Sequence, residues 1–298
     1  MSANIPGHFS RSYSTNVELL LQIKGSKLRG AVTIGNYVGD QASPVDQIGA
    51  VEAQQVVSRF APMGRVDAAT DRRWVFPTDY DLPQLIDSFD KLRLITDPES
   101  KYVENAVYAL GRKMDATIIT AFMGSAKTGV NGATSTSFTA GNEIDVAVGG
   151  ANSRLNVQKL INVKELAMAN SIDLDNDPLY CAITAKDHSA LLQEIQIISS
   201  DFNGGDRPVL KDGKVSMFLG IGFIHCEALE TLAAGTNEVN IPVWSKSGMH
   251  MGIWSDIVAS VSKRNDLQGE PYQAYVKGTF GATRLEEKKV FNIESYRA

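Results

Sequence analysis

Asp97 to Gly124, DPESKYVENAVYALGRKMDATIITAFMG, decides the fold reading of this chain. Asp97 is a good N-cap, Pro98 suits the first helical position, and Glu99 suits the positive end of a helix. Val103, Val107, Leu110, Met114, Ile118 and Phe122 recur every three or four residues, which draws one apolar stripe along a helix. Gly124 and the small residues after it stop the run. At 1.5 Å per residue this is a rod of about 40 Å, long for a domain of ordinary size.

The preceding segment has the opposite character. From Ala31 to Asp79, Val32, Ile34, Val45, Ile48, Val51 and Val56 hint at strands, but Gly35, Gly39, Pro44, Gly49, Pro62 and Gly64 punctuate them. With so few large apolar groups this stretch builds no core of its own. It reads either as a long two-stranded flap that pairs with a neighbouring molecule, or as a disordered insertion. Lysine is absent from Leu28 through Asp90, whereas Arg59, Arg65, Arg72 and Arg73 occur there. A planar guanidinium suits fixed pairing with carboxylates across an interface, although chance accounts for so small a number as well.

Leu82, Leu85, Ile86, Phe89 and Leu92 predict a short helix over 80–94. Asp79, Asp81, Asp87 and Asp90 lie around it, either as a solvated acidic face or as partners for the arginines of another copy. After the rod, 125–142 reads as a Gly/Ser/Thr-rich linker. Asn156 caps a predicted helix whose inner face is Val157, Leu160, Ile161 and Met168. Leu179–Thr184 reads as a buried strand. Thr184 to Asp187 form a capping box that opens a helix with Leu191, Leu192, Ile195 and Ile198 inward. Val215–His225 is an apolar strand interrupted by Gly220 and Gly222, and 272–283 and 290–293 are closing strands. Near the start, 1–16 has little structure of its own, and Asn16 caps a short helix carrying Leu20, Leu21 and Ile23 that ends at Gly25 or Gly30. Helices and strands alternate without a βαβ rhythm, so the class is α+β.

A chain of 298 residues with 43% apolar and 21% charged side chains is ordinary for a globular protein of about two domains. A net charge of −5 has the wrong sign for a dedicated nucleic-acid binder. Residues 1–30 are locally basic (Arg11, Lys24, Lys27 and Arg29 against Glu18), which fits a solvated tail or contact with a polyanion. Cys181 and Cys226 make no disulfide framework, so a reducing compartment is expected. No secretory signal and no apolar run of membrane-spanning length is read.

Chemistry is sparse. Gly124 to Thr128 (GSAKT) lacks the glycine before Lys127 and the one five residues earlier, so it is no phosphate loop. Asp173, Asp175 and Asp177 resemble the start of a calcium loop, but Pro178 and Thr184 stand where glycine and glutamate belong, and Asx residues ending a helix explain them better. His188 lies on an apolar stripe, as a satisfied core or interface histidine does. His225 and Cys226 point to opposite faces of a strand, so one metal hardly collects both. No catalytic, cofactor-binding or metal-binding residue is assigned, and the chain is not expected to be an enzyme. A dispersed active site resting on His188 or Asp115 stands as the remote alternative.

Several phrases in order resemble the major capsid proteins of tailed bacteriophages, with the Hong Kong 97-like capsid fold. Gly25-Ser-Lys-Leu-Arg29 followed by Ala31-Val-Thr33 looks like the junction of N-terminal arm and extended loop. Arg72-Arg-Trp-Val75 looks like the returning strand of that loop. Tyr80-Asp81 through Asp90 with Leu92-Arg93 looks like the lead-in to the spine helix, and Ala109-Leu-Gly-Arg112 with Asp115 and Ile118-Ile119 like the spine itself. Gly278-Thr-Phe-Gly-Ala-Thr-Arg284 with Lys289-Val290 looks like the last strands of the peripheral domain. The resemblance implies an N-terminal arm (1–30), an extended loop (31–79), a peripheral domain with the spine helix (80–155, closed by 272–298) and an axial domain (156–271). It implies hexamers and pentamers of many copies, closing an icosahedral virion capsid around double-stranded DNA that is contacted weakly and without sequence specificity. Assembly in the host cytoplasm, without a membrane, is expected. The inter-subunit contact candidates are Arg59, Arg65, Arg72, Arg73, Trp74, Asp79, Asp81, Asp87 and Asp90. Some members link a loop lysine to a neighbour's asparagine; with no lysine in 28–90, non-covalent stabilisation is expected here. No long helical extension precedes the arm, which points to a separate scaffolding protein, alongside a portal. An encapsulin-like compartment shell, which shares the fold, is the alternative.

Overall fold

The computed structural model describes residues 22–40, 42–55, 64–86, 99–148, 150–194, 197, 210–211, 213–229 and 237–297. The strands run in order β1 (Thr33–Asn36), β2 (Ala42–Ile48), β3 (Thr70–Val75), β4 (Thr78–Ile86), β5 (Ala126–Thr128), β6 (Thr134–Thr136), β7 (Glu143–Ile144) and β8 (Leu179–Ile183). They continue as β9 (Leu210–Lys211), β10 (Lys214–Val215), β11 (Met217–Phe218), β12 (Ile221–His225), β13 (Glu238–Ser245), β14 (Met249–Lys263), β15 (Tyr272–Arg284) and β16 (Val290–Tyr296). The helices are α1 (Glu99–Met123), α2 (Val157–Ala169) and α3 (Ala185–Leu191). The chain forms two compact units, one of residues 1–25, 79–112 and 255–278, the other of 26–78, 113–254 and 279–298.

The rod is present. Helix α1 has 25 residues, about 37 Å at 1.5 Å each. Leu110, Met114, Ile118 and Phe122 are buried, as the stripe requires, and Val103 and Val107 are half-buried. The N-cap expected at Asp97 and Pro98 lies outside the described residues.

In the smaller unit, Ala106 and Leu110 pack with Val276 of β15, and Tyr80, Leu82, Val107 and Ile257 close around them. Here the helix predicted over 80–94 is corrected to strand β4. Tyr80, Leu82, Gln84 and Ile86 turn inward at every second residue, while Asp79, Asp81, Pro83 and Leu85 face out. Pro83 lacks an N–H and disfavours a helix interior, and β4 is the edge of its sheet, where proline is tolerated. Phe89 and Leu92 lie outside the described residues. Residues 255–271, expected in an axial domain, share the smaller unit with 79–112, and the boundary after Trp254 falls within β14, which runs without a break across 249–263.

The larger unit is built on a six-stranded sheet, β11-β12-β8-β13-β16-β7. Helix α2 lies on it through Val157, Leu160, Val163 and Ala167, packed with Cys181, Ile183, Ile241, Val243, Phe291 and Ile293. Asn156 caps α2 as predicted, its Oδ1 accepting from Lys159 N at 2.9 Å. The predicted face is half right: Ile161 and Met168 are 42% and 63% exposed, and Val163 and Ala167 take their places. Lys159 is buried on the same helix. Its Nζ donates to Val146 O, Ser153 O and Glu294 O at 3.1, 2.8 and 2.7 Å, one acceptor for each proton, while burial pushes its pKa down to about 8.

The capping box at Thr184 is also revised. Thr184 Oγ1 donates to Asp187 Oδ2 at 2.6 Å instead of capping the backbone, and Asp187 further accepts from Ser295 Oγ and Arg297 Nη2. Leu191 is buried as expected, and Ile195 and Ile198 lie outside the described residues. The single strand predicted over 215–225 is folded into the hairpin β11–β12, turning at Leu219 (φ 53°) and Gly220 (φ 80°). The 125–142 stretch is not a plain linker, since β5 and β6 pair within it. The described part of the predicted N-terminal helix, from Gln22 on, is non-helical until a 3₁₀ turn at Arg29–Ala31.

Strand β1 lies parallel to the start of β14, Thr33 opposite His250 and Asn36 opposite Ile253. His250 is buried between Thr33 Oγ1 (3.0 Å from Nδ1) and Tyr37 Oη (2.9 Å from Nε2). Thr33 Oγ1 donates its one proton to Met249 O, so the neutral ring carries its proton on Nδ1 and accepts from Tyr37. Burial lowers the His250 pKa from 6.5 to about 4. Between those values the unfolded chain binds the proton that the folded one refuses, so this contribution is complete above pH 6.5 and is lost as pH falls toward 4. The loss amounts to about 3 kcal/mol. Urea midpoints of the subunit at pH 7 and pH 4.5, compared with those of His250→Gln, check this: the variant should lose much of the acid sensitivity.

Candidate inter-subunit surfaces at the flap

The first expectation for 31–79 holds in its described part as a two-stranded ribbon. Strands β2 and β3 pair antiparallel, Val45 opposite Arg73, Asp46 opposite Arg72 and Ile48 opposite Thr70, and β5 and β6 extend the sheet as β2-β3-β5-β6. The residues that alternate apolar on the ribbon find no core there: Ile48 is 75% exposed, and Val51 and Val66 are exposed too. Among the described residues β2 stands at the edge of this sheet, paired on one side only.

The base of the ribbon is fixed to the body of its own unit. Arg73 is buried, donating through Nη2 to Glu287 Oε2 at 2.5 Å and through Nε to Gln47 Oε1 at 3.2 Å. Gln47 Nε2 in turn donates to Leu285 O at 2.5 Å. Trp74 is buried with Nε1 on Gly129 O at 2.7 Å. The next residues lie so close to β15 that a Cβ on Gly281 would stand 2.1 Å from Phe76 O, an approach only glycine allows. Arg73 and Trp74, two of the predicted contact residues, thus anchor the flap within the chain. Sequence reading missed this because their partners lie 214 and 55 positions away.

Arg72 and Arg65 are placed differently. Arg72 points to solvent, forks onto Asp46 at 2.5 and 3.0 Å, and lies 5.7 Å from the Trp74 ring centroid. Arg65 meets Asp67 at 2.6 Å, also exposed. Asp79 and Asp81 are exposed on β4, and Tyr275 Oη donates to Asp81 at 3.4 Å. The arginines' carboxylate partners in the chain are Asp46, Asp67 and Glu287, none of which the sequence singled out. Arg59, Asp87 and Asp90 lie outside the described residues.

Behind the flap sits Arg284, fully buried. Its Nη1 donates to Phe122 O at 2.6 Å, Gly124 O at 2.8 Å and Ala121 O at 3.5 Å, and its Nη2 to Thr136 O at 3.3 Å. The first three are carbonyls at the end of α1 and the fourth is on β6, so a guanidinium from β15 closes the C-terminus of the rod. Burial lowers the Arg284 pKa, opposed by Glu287 at 3.6 Å. About two turns earlier on α1, buried Asp115 accepts from Ser26 Oγ, Lys27 N and Leu28 N at 2.5, 2.9 and 3.0 Å, clasping the chain that leads into β1.

None of this forms a catalytic constellation. His188 Nε2 accepts from Val215 N at 3.2 Å, the satisfied role expected of it, and Asp173 and Asp177 accept hydrogen bonds within their own turn and from Ser247. Among the described residues no three metal-binding side chains cluster, and no helix is long and apolar enough to cross a membrane.

The comparisons agree with a shell protein. No curated protein sequence matches the chain. The capsid structure of cyanophage P-SCSP1u has a TM-score of 0.74 at 16% identity, over 98% of this chain and 94% of that one. The cyanophage Pam1 capsid asymmetric unit has a TM-score of 0.74 at 11% identity, over 100% of both chains. The capsid of Ralstonia phage GP4 has a TM-score of 0.69 at 12% identity, over 100% and 98%. The fold is therefore the Hong Kong 97-like capsid fold, and the encapsulin-like alternative is not favoured. The phage capsid protein family matches residues 5–296, so this chain belongs to that family and is a structural protein of a phage capsid.

Proposed function

We propose that many copies of this chain join as hexamers and pentamers into an icosahedral shell around double-stranded DNA, and that the flap is the part each copy lays on its neighbours. One observation carries the reading: an anchored ribbon with exposed apolar residues and an open β-edge, which gains burial only against another molecule. Arg65, Arg72, Asp79 and Asp81, all solvent-facing, are the candidates for contacts between copies, with Arg59, Asp87 and Asp90. In this reading the arm is 1–30, the loop 31–79, the peripheral domain 80–155 closed by 272–298, and the axial domain 156–271, of which 255–271 share a compact unit with 79–112. The net charge of −5 supports weak, non-specific contact with the genome. A separate scaffolding protein and a portal complete this reading, with assembly in the host cytoplasm.

With no lysine in 28–90, the flap has no amine to cross-link, and the shell is held by non-covalent contacts. Electron micrographs and light scattering of the purified protein test the reading, and particles boiled in detergent should release a single 32.3 kDa band. Arg72→Ala should leave subunit stability within about 0.5 kcal/mol, as befits an exposed pair, yet lower particle yield. Subunits that remain monomeric under every condition would defeat the proposal.

A further inference from the structure

The second half of β14 is a long sheet edge. Strand β1 pairs with residues 250–253 alone, so from Ser255 to Lys263 the strand has β15 on one side and, among the described residues, no strand on the other. Residues 258–263 are exposed, Val258 and Val261 at 49% and 41%. No proline or glycine interrupts 255–263, and its only charges are Asp256 and Lys263, at its two ends. Lys263 is already paired with Glu270. An unbroken edge with an uncharged middle is a template for another strand, which proteins that stay monomeric usually blunt.

The backbone shows which groups face the open side. Arg264 N donates to Pro271 O at 2.9 Å, and Ser260 Oγ donates to Tyr275 O at 3.4 Å, so one register holds along the β14–β15 hairpin. Alternation from Arg264 turns the N–H and C=O of Ile257, Ala259, Val261 and Lys263 away from β15. Ile257 N agrees, donating to the neighbouring Asp256 Oδ1 at 2.8 Å. The side chains of Ile257, Ala259 and Val261 share one face. Ile257 packs against the small core of Ala106, Leu110 and Val276, and Ala259 and Val261 carry the same apolar row on into solvent.

We propose that β14 pairs antiparallel with β14 of a second copy across a two-fold axis, Ala259 opposite Ala259, joining two sheets into one. The inference rests on the assembly reading above and names a surface apart from the flap. The edge matches itself row by row. Ile257 meets Val261 twice, Val258 meets Ser260, Asp256 meets Ser262 and Lys263 meets Ser255, so no charge opposes its like. A slip of two residues sets Ile257 against Lys263 or Val261 against Ser255, which fixes the register. The flap's β2 edge fits less well, because Pro44 lacks an N–H and the ladder shifts between Ala42 and Val45. A contact of one patch with itself joins two rings of subunits and does not close one ring.

Charge reversal tests it in the full chain. Ala259 is exposed, so Ala259→Glu and Ala259→Lys should leave the melting of the free subunit unchanged. Each alone should lower particle yield by about tenfold, since like charges then stand directly opposite, and a one-to-one mixture of the two should restore most of it. Ala259→Cys adds a covalent readout. Opposed Cα atoms about 5.5 Å apart lie within disulfide range, and the native Cys181 and Cys226 are buried. Mild oxidation should give a band of twice the subunit mass from shells and little from dilute subunits. Should Ala259→Cys fail to assemble, shells mixed from Val258→Cys and Ser260→Cys subunits should give the same band. Both charge variants assembling like wild type would overturn the inference, as would shells in which neither cysteine design cross-links. So would Ala259→Cys linking to Ile48→Cys subunits and not to itself, which would hand the edge to a neighbour's flap. Wild-type protein that never forms particles would defeat the assembly reading instead.

Discussion

Replacing Arg284 by methionine should cost the subunit about 3–5 kcal/mol, the largest effect expected of any single substitution described above. Methionine fills much of the same volume, so the loss is chiefly polar. Phe122 O and Gly124 O, at 2.6 and 2.8 Å, would lose their shared donor at the end of α1, and Thr136 O would lose a longer contact. Glu287, only 13% exposed in its side chain, would keep a single partner in Arg73. Breaking one side of a buried ionic cluster leaves charge that water cannot reach, and that desolvation term exceeds the lost attraction. Arg284→Lys should recover only part of the stability, because a point charge cannot span carbonyls on both sides of the helix end. Urea denaturation of the free subunit measures both. A methionine variant within 0.5 kcal/mol of wild type, roughly the size of a surface change, would show that the cluster is ornamental.

The same residues explain what the sequence could and could not reveal. Helix α1 was legible because its stripe is local: Leu110, Met114, Ile118 and Phe122 declare their face within four turns, and all four are buried. Strand β4 misled because Leu82, Leu85 and Ile86 fit a helical step as well as Tyr80, Leu82 and Ile86 fit a strand. Only the edge position that accommodates Pro83 decides between them. Strand β13 gave little signal because Pro242 interrupts it; the structure accommodates that proline by pairing β8 with β13 only from Val243 onward. Strand β14 was unread because its first five residues are buried on both faces and its last six exposed, so no single period runs through it. The buried ions were out of reach for another reason. Arg73, Lys159 and Arg284 look like ordinary surface charges in sequence, and their partners lie as many as 214, 135 and 163 positions away. A one-dimensional pattern carries periodicity well and long-range electrostatic pairing hardly at all. The flap was recognised as deficient in core-forming residues, but which of its arginines serve the chain and which face outward depended on that pairing.

Asp115→Ala should weaken the subunit by about 3–4 kcal/mol and loosen one particular segment. A charged acceptor is worth more than a neutral one, and here a single carboxylate serves two backbone N–H groups and a hydroxyl. Leu28, fully buried, cannot turn its N–H to water without leaving its site, so the alanine variant either retains an unsatisfied donor or releases 26–28. Release would also reach Ala31, whose carbonyl accepts from Trp244 Nε1 at 2.8 Å and holds the strand into β1 beside the Trp244–Phe122 ring pair. The segment should therefore become the first to open. Trypsin provides the readout, because Lys24 precedes the clasp, Lys27 lies within it, and both side chains are exposed. Cleavage there should accelerate in Asp115→Ala well beyond its acceleration elsewhere in the chain, and Asp115→Asn, which keeps one acceptor oxygen, should fall between the two. Uniform acceleration at all sites would mean that Asp115 contributes to global stability without serving as a clasp, and unchanged cleavage would mean that neither role is real.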